Sequence, residues 1–275
     1  MSDRKVAFVT GASRGIGRAC AVFLAKAGYD VAVSARTLVD GSARLDDGVT
    51  PVPGGLDTTV DLIVETGQQG LAIEMDLMDR ASVLQAADIA YDHFGRIDVL
   101  LNNAIYQGPG AMLTIEQLDD EHVKQLFEGN LFAQLALTRH LLPRFIKQGG
   151  ATVVNMISAT AFKNPPGTIG AGGWGVGYAM TKAAFERLAP LLMIEYGDDG
   201  IITYNIDPGH VITERQKAKQ KEKEYTAFPS APPEVIGAAV AWLVEEPSAP
   251  KEYGGTIVNA QRETKRRNLL PGWPE

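Results

Sequence analysis

Short apolar runs recur along the chain between longer stretches in which apolar positions return every three or four residues. The runs are Val6–Thr10, Val31–Ala35, Ala72–Met75, Val99–Leu101, Thr152–Met156, Ile201–Ile206 and Thr256–Asn259. A near-continuous run predicts a strand covered on both faces, because a strand with one wet face alternates polar and apolar side chains. Seven such strands separated by helical stretches predict right-handed βαβ crossovers and an α/β architecture.

Two segments break the rhythm. Residues 37–58 carry Gly, Pro and Asp without helical periodicity, which predicts a long loop before a helix that starts near Asp57 or Thr58. Residues 163–176 are richer still in Gly and Pro, and both segments are expected to be loop insertions on the surface or over a site. No linker divides the 275 residues into comparable halves, so residues 1–275 are expected to form a single domain.

Composition narrows the class. A net charge of −7 disfavours a general nucleic-acid binder, which would carry surplus Lys and Arg against phosphate. No stretch approaches the roughly 20 apolar residues of a membrane span, and the charged start Met1-Ser-Asp-Arg-Lys5 leads straight into the first strand. A cytoplasmic protein is expected, with no membrane or nucleic-acid partner. The single cysteine, Cys20, lies on the expected buried face of a helix, where a thiol is an inert small hydrophobe. No metal site is expected.

The first strand ends in Thr10-Gly-Ala-Ser-Arg-Gly-Ile-Gly17, and an apolar-periodic helix follows over Arg18–Ala27. A strand, a glycine turn and a helix N-terminus together suit a dinucleotide pyrophosphate, because the glycines permit close approach and the helix end offers free N–H groups. The fold is therefore read as Rossmann-type doubly wound α/β, with a seven-stranded mainly parallel sheet and helices on both faces. At the end of the second strand, where an acid would bond the adenosine ribose 2′-hydroxyl, the chain has Ala35-Arg36. Arg36, with Arg14 inside the turn, suits a 2′-phosphate, so NADP(H) is preferred over NAD(H).

Tyr178 and Lys182 are one helical turn apart, in a stretch that reads as mainly helical over 178–194 with a kink at Pro190. A neighbouring ammonium stabilises a phenolate and lowers the phenol pKa, which makes acid–base work near neutrality accessible. The pair follows the fifth strand, on the same sheet edge as the glycine turn. Ser158, just beyond that strand, can offer its hydroxyl to a substrate oxygen. Asn130 falls within a helical stretch over 119–147, where it either bends the helix or faces solvent.

In this order the motifs resemble the short-chain dehydrogenase/reductase family: Thr10–Gly17, Asp76-Leu77, Asn102-Asn-Ala104, Asn130, Ser158, Tyr178-Ala-Met-Thr-Lys182 and Asp207-Pro-Gly-His-Val-Ile-Thr213. The resemblance spans Lys5 to about Asn259. It implies a catalytic tetrad of Asn130, Ser158, Tyr178 and Lys182, with Asn130 holding a water that links Lys182 to solvent. It implies cofactor contacts from Gly11, Ser13, Arg14, Gly15, Ile16 and Gly17 in the turn, and from Arg36 after the second strand. Asp76 and Leu77 would meet the adenine, and Asn102, Asn103 and Ala104 would line the adenosine side. Pro208, Gly209, Val211 and Thr213 would meet the nicotinamide end, with Tyr178 and Lys182 at its ribose. By the same resemblance the chain is expected to be a homodimer or homotetramer, and residues 213–233 to cover the substrate.

Three departures stand out. Ile105 occupies the family's glycine after Asn102-Asn-Ala104, residues 164–175 are inserted between Ser158 and Tyr178, and Asn259-Ala-Gln-Arg follows the last strand in place of an acid and glycines. The insertion is expected to overhang the substrate, with Trp174 as either a stacking residue or an anchor for the loop. The activity read from the sequence is NADP(H)-dependent carbonyl reduction or alcohol oxidation, with hydride transfer at nicotinamide C4 and Tyr178 as acid and base. The alternative is a non-redox nucleotide-binding scaffold or regulator on the same fold.

Overall fold

A computed structural model of the protein describes residues 4–45, 47–219 and 230–274. Its seven strands are β1 (Val6–Thr10), β2 (Asp30–Ala35), β3 (Gly70–Glu74), β4 (Val99–Asn102), β5 (Ala151–Met156), β6 (Ile201–Asp207) and β7 (Ile257–Asn259). All pair in parallel in the order β3-β2-β1-β4-β5-β6-β7. The chain leaves β1 toward β2 but leaves β4 toward β5. A crevice opens where those directions diverge, outside the carboxyl ends of β1 and β4.

The central strands are buried on both faces, as their continuous apolar runs predict. Edge strand β3 is only half covered and starts two residues before its apolar run, because an edge position does not require every side chain to be apolar. One face of the sheet packs beneath α1 (Gly15–Lys26), α2 (Leu56–Val64), α9 (Pro233–Glu245), α10 (Ala249–Tyr253) and α11 (Ala260–Arg267). The other face packs beneath α3 (Arg80–Phe94), α5 (Ala133–Lys147) and α7 (Leu188–Tyr196). The remaining helices, α4 (Asp120–Phe127), α6 (Val176–Glu186) and α8 (Glu214–Lys219), stand at the carboxyl edge. Among the described residues no helix is long and apolar enough to cross a membrane.

Side-chain chemistry sets several boundaries. The Asp79 carboxylate accepts from the Ala81 and Ser82 amides to start α3, and Gly95 ends it in the left-handed conformation. Residues 119–147 are not one regular helix. Between α4 and α5 the backbone widens into a π-turn over Glu128–Phe132, centred on Asn130. Such π-turns recur at functional sites.

The expected kink at Pro190 is a break between α6 and α7 at Arg187. Pro190 sits in the first turn of α7, where its missing N–H costs nothing. The Glu186 carbonyl, four residues earlier, instead accepts from Asn205 Nδ2 of β6 at 2.8 Å. Helix α2 begins at Leu56, one residue before the expected start, and the preceding loop carries an antiparallel bridge between Arg44 and Pro51. Cys20 is fully buried, and burial raises its pKa, as an inert thiol requires.

Candidate active site

The crevice at the carboxyl edge is a cleft of about 490 Å³ running from the glycine turn to Tyr178. At one end Thr10 leads from β1 into the turn, and its hydroxyl accepts from the Asn103 and Ala104 amides at 3.0 Å. A Cβ on Gly17 would stand 2.3 Å from the Gly11 carbonyl oxygen, so only glycine lets the turn fold back so tightly. The Ile16 and Gly17 amides precede the first backbone bond of α1, which runs from Arg18 N to Arg14 O. This is the arrangement a phosphate requires.

Most of the expected cofactor residues line this cleft: the glycine turn from Gly11 to Gly17 without Ala12, Arg36, Asp76, Leu77, Asn103, Ala104, Pro208 and Thr213, together with Tyr178 and Lys182. Three expected residues do not. Asn102 points into the sheet, where its Nδ2 donates to Thr138 Oγ1 at 3.1 Å and Asn155 Oδ1 at 3.0 Å. A strand residue there faces alternately in and out, so its neighbour Asn103 takes the cleft position. Val211 is packed in the core, and Gly209 is behind the lining, beneath the Gln261 side chain.

The two arginines differ in their surroundings. Arg14 donates from Nε to Pro53 O at 2.9 Å and from Nη2 to Gly54 O at 2.8 Å, so it ties the 37–55 loop to the turn. Burial lowers its pKa, against the opposing charge of Glu214. Arg36 is exposed at the cleft rim, with no hydrogen bond or ion pair among the described residues. A third guanidinium, Arg215 at the start of α8, also lines the cleft. No local motif in the sequence marked it.

At the other end, α6 carries Tyr178 and Lys182 on one face. The Ser158 hydroxyl bonds the Tyr178 phenol and also accepts from the Thr160 amide at 3.3 Å. Lys182 is 1% exposed, and its Nζ donates to Met156 O at the end of β5, at 2.7 Å. Nζ lies 5.9 Å from the centre of the Tyr178 ring. Burial pushes the phenol up to about 12, against the bond from Ser158 and reinforced by the Asp207 charge. Burial brings the Lys182 ammonium down to about 7. In the protein alone the phenol is therefore raised, not lowered as expected, because desolvation outweighs the hydrogen bond from Ser158.

Asn130 is fully buried in the π-turn, and its Oδ1 accepts from the Tyr106 amide at 2.7 Å. The side chain thus clamps the loop after β4, while α6 packs against the same π-turn. Ile105, in the family's glycine position, keeps an ordinary negative φ and lines the cleft, so no glycine-only conformation is needed. Residues 105–109 line the cleft, whereas none of residues 163–176 is among its lining. That insertion turns on itself through the Ala171 and Gly173 amides to Thr168 O, and Gly175 packs on the backbone of Ala111 and Met112.

Two further residues, neither of them among the expected site residues, brace the loops around the cleft. The Asp207 carboxylate accepts from the Ala159 amide at 3.1 Å, the Gly209 amide at 3.0 Å and Asn259 Nδ2 at 3.3 Å, joining the Ser158 loop to the turn after β6. Gln261 Nε2 donates to Pro208 O at 2.9 Å and His210 O at 3.0 Å. The third departure from the family pattern therefore supplies a brace for the turn after β6.

The short chain dehydrogenase family profile matches residues 5–47 and 49–224. The chain belongs to the short-chain dehydrogenase family. Over 246 residues this short-chain dehydrogenase is 30% identical to short chain dehydrogenase mpl6 of Monascus purpureus, covering 88% of this chain and 76% of that one. Over 229 residues it is 30% identical to NADPH-dependent aldehyde reductase 1, chloroplastic, of Arabidopsis thaliana, covering 83% and 73%. Its fold is similar to that of a short chain dehydrogenase from Mycobacterium paratuberculosis bound to NAD, with a TM-score of 0.73, 24% identity and coverage of 94% and 96%. It is likewise similar to a 3-oxoacyl-(acyl-carrier-protein) reductase from Agrobacterium tumefaciens C58 with NADP bound, with a TM-score of 0.74, 21% identity and coverage of 93% and 92%. This short-chain dehydrogenase is thus a NAD(P)-dependent oxidoreductase.

Proposed function

We propose that this short-chain dehydrogenase is an NADP(H)-dependent carbonyl reductase or alcohol dehydrogenase with Tyr178 as its acid and base. The observation that carries the reading is Tyr178 itself, bonded by Ser158 and backed by buried Lys182, at the end of a cleft that begins at the glycine turn. The residues present fit a dinucleotide: α1 offers amides for the pyrophosphate, Arg36 a guanidinium at the rim for the 2′-phosphate, and Asp76 an acceptor on the adenine side. Lys182 would meet the nicotinamide ribose and Thr213 the carboxamide. When bound, the cofactor supplies or accepts the hydride at C4.

Tyr178 is neutral at pH 7, which loads it as a proton donor to a carbonyl oxygen. Ser158 steadies the phenol and offers its hydroxyl to the same oxygen. The Asn130 clamp on Tyr106 holds the 105–109 part of the cleft lining, and Ile105, Tyr106 and Pro109 suit an apolar to aromatic substrate. NADP is favoured over NAD by Arg36 and Arg215 at the rim and by the lack of an acid at Ala35. The protein acts as a homodimer or homotetramer in this reading.

The test is NADPH consumption over aldehydes, ketones, diketones and quinones, with NADH in parallel. Tyr178→Phe is expected to lower turnover at least about a hundredfold while NADPH still binds. A variant that keeps substantial turnover removes Tyr178 from the chemistry, and equal use of NADH removes the cofactor preference. Silence on every carbonyl and alcohol would favour the scaffold alternative.

A further inference from the structure

The carboxylate of Glu214, the first residue of α8, sits on the cofactor turn. Its Oε2 accepts from the Gly15 amide at 2.8 Å, and its Oε1 lies 3.5 Å from Nη1 of Arg18. Arg18 is itself pinned, donating from Nη2 to Ser13 O at 2.6 Å. The contact is closely packed. A Cβ on Gly15 would stand 3.0 Å from the Thr213 methyl and 3.6 Å from Glu214 Oε2.

An anion at a helix N-terminus is stabilised by the free N–H groups and the positive dipole end, and by any cation beside it. Glu214 has all three, at the end of α1 that the proposed cofactor reading assigns to the pyrophosphate. Two anions at one helix end repel, and phosphate cannot take the Gly15 amide while the carboxylate holds it.

We propose that Glu214 is an anionic latch: it ties the first turn of α8 to the glycine turn and competes with the dinucleotide pyrophosphate for that end of α1. The inference rests on the nucleotide reading of the cleft. Glu214 sets cofactor affinity without touching the reacting atoms. Neighbouring Arg215, which lines the cleft, is carried on the same turn of helix and is not part of the latch.

Calorimetric titration of NADPH into the wild type and Glu214→Gln, near 0.15 M ionic strength to screen distant charge, tests the latch. Glu214→Gln is expected to bind NADPH roughly 2- to 30-fold more tightly. Adenosine 2′-monophosphate, which has no pyrophosphate, is expected to bind both proteins alike. Thermal melting of each protein establishes that the variant folds. Unchanged or weaker NADPH binding by a folded variant overturns the latch, as does an equal gain for both ligands, which would indicate general charge removal. If NADPH binds neither protein the nucleotide reading itself falls, a result distinct from a failed latch.

Discussion

Lys182 is the residue at which physical chemistry and sequence position pull hardest against each other. A cationic side chain 1% exposed, with Met156 O as its bonded acceptor, is held near neutrality by desolvation, its pKa brought down to about 7 from 10.5. Over that interval the unfolded chain binds the proton more readily than the folded one. The contribution of Lys182 to stability is therefore full above about pH 10.5 and lost as pH falls through about 7. Lys182→Met removes the titrating group, so its melting temperature relative to wild type should rise as pH is lowered from 10 to 6.5. A difference that is flat across that range would remove the buried ammonium from the pH dependence. Tyr178 and Lys182 were legible in the sequence because their spacing is local to one helix and their place after β5 follows from chain order. The direction of their pKa shifts was not, because burial is set by segments far away in the chain.

At the scale of elements, strands and helices followed the apolar pattern closely in the interior and less closely where covering was partial, as at β3. The π-turn at Asn130 and the break at Arg187 come from side chains bonded across the fold, Asn130 to the loop after β4 and Asn205 to the Glu186 carbonyl. Helix α11 shows how one segment braces another. Asn259 caps it by accepting from the Arg262 amide at 2.9 Å, which places Gln261 beneath the turn after β6. Gln261→Ala removes two hydrogen bonds to backbone carbonyls while leaving every cleft residue in place. It is expected to raise the apparent KM for cofactor roughly 2- to 10-fold with a smaller effect on kcat. Steady-state kinetics in cofactor will check this, and a loss confined to kcat would count against the brace.

Across the whole molecule, the sheet edge that gathers the cleft also decides which surfaces stay uncovered. On the side of α5 and α7, Phe132, Leu135, Leu191 and Ile194 are exposed, Ile194 by 79%, and Met180 on α6 is exposed as well. Several large apolar side chains open to water on neighbouring helices favour association. Light scattering coupled to size exclusion is expected to give a mass of two or four chains, and Ile194→Glu to shift it toward one. A monomeric wild type would refute the oligomeric reading. The sequence by itself determined the α/β class, the order of the motifs along the chain, the glycine turn and the Tyr178–Lys182 pair, because each is read from periodicity or from neighbours along the chain. Only the tertiary structure decided that Asn103 and not Asn102 lines the cleft, that residues 105–109 and not the inserted loop line it, and that Arg14 is tied to the 37–55 loop while Arg36 stands exposed at the rim. It also brought Asp207, Gln261 and Glu214 to the site. Those contacts join residues from about 40 to 200 positions apart, and only the packing of distant elements against one sheet edge can select such pairs.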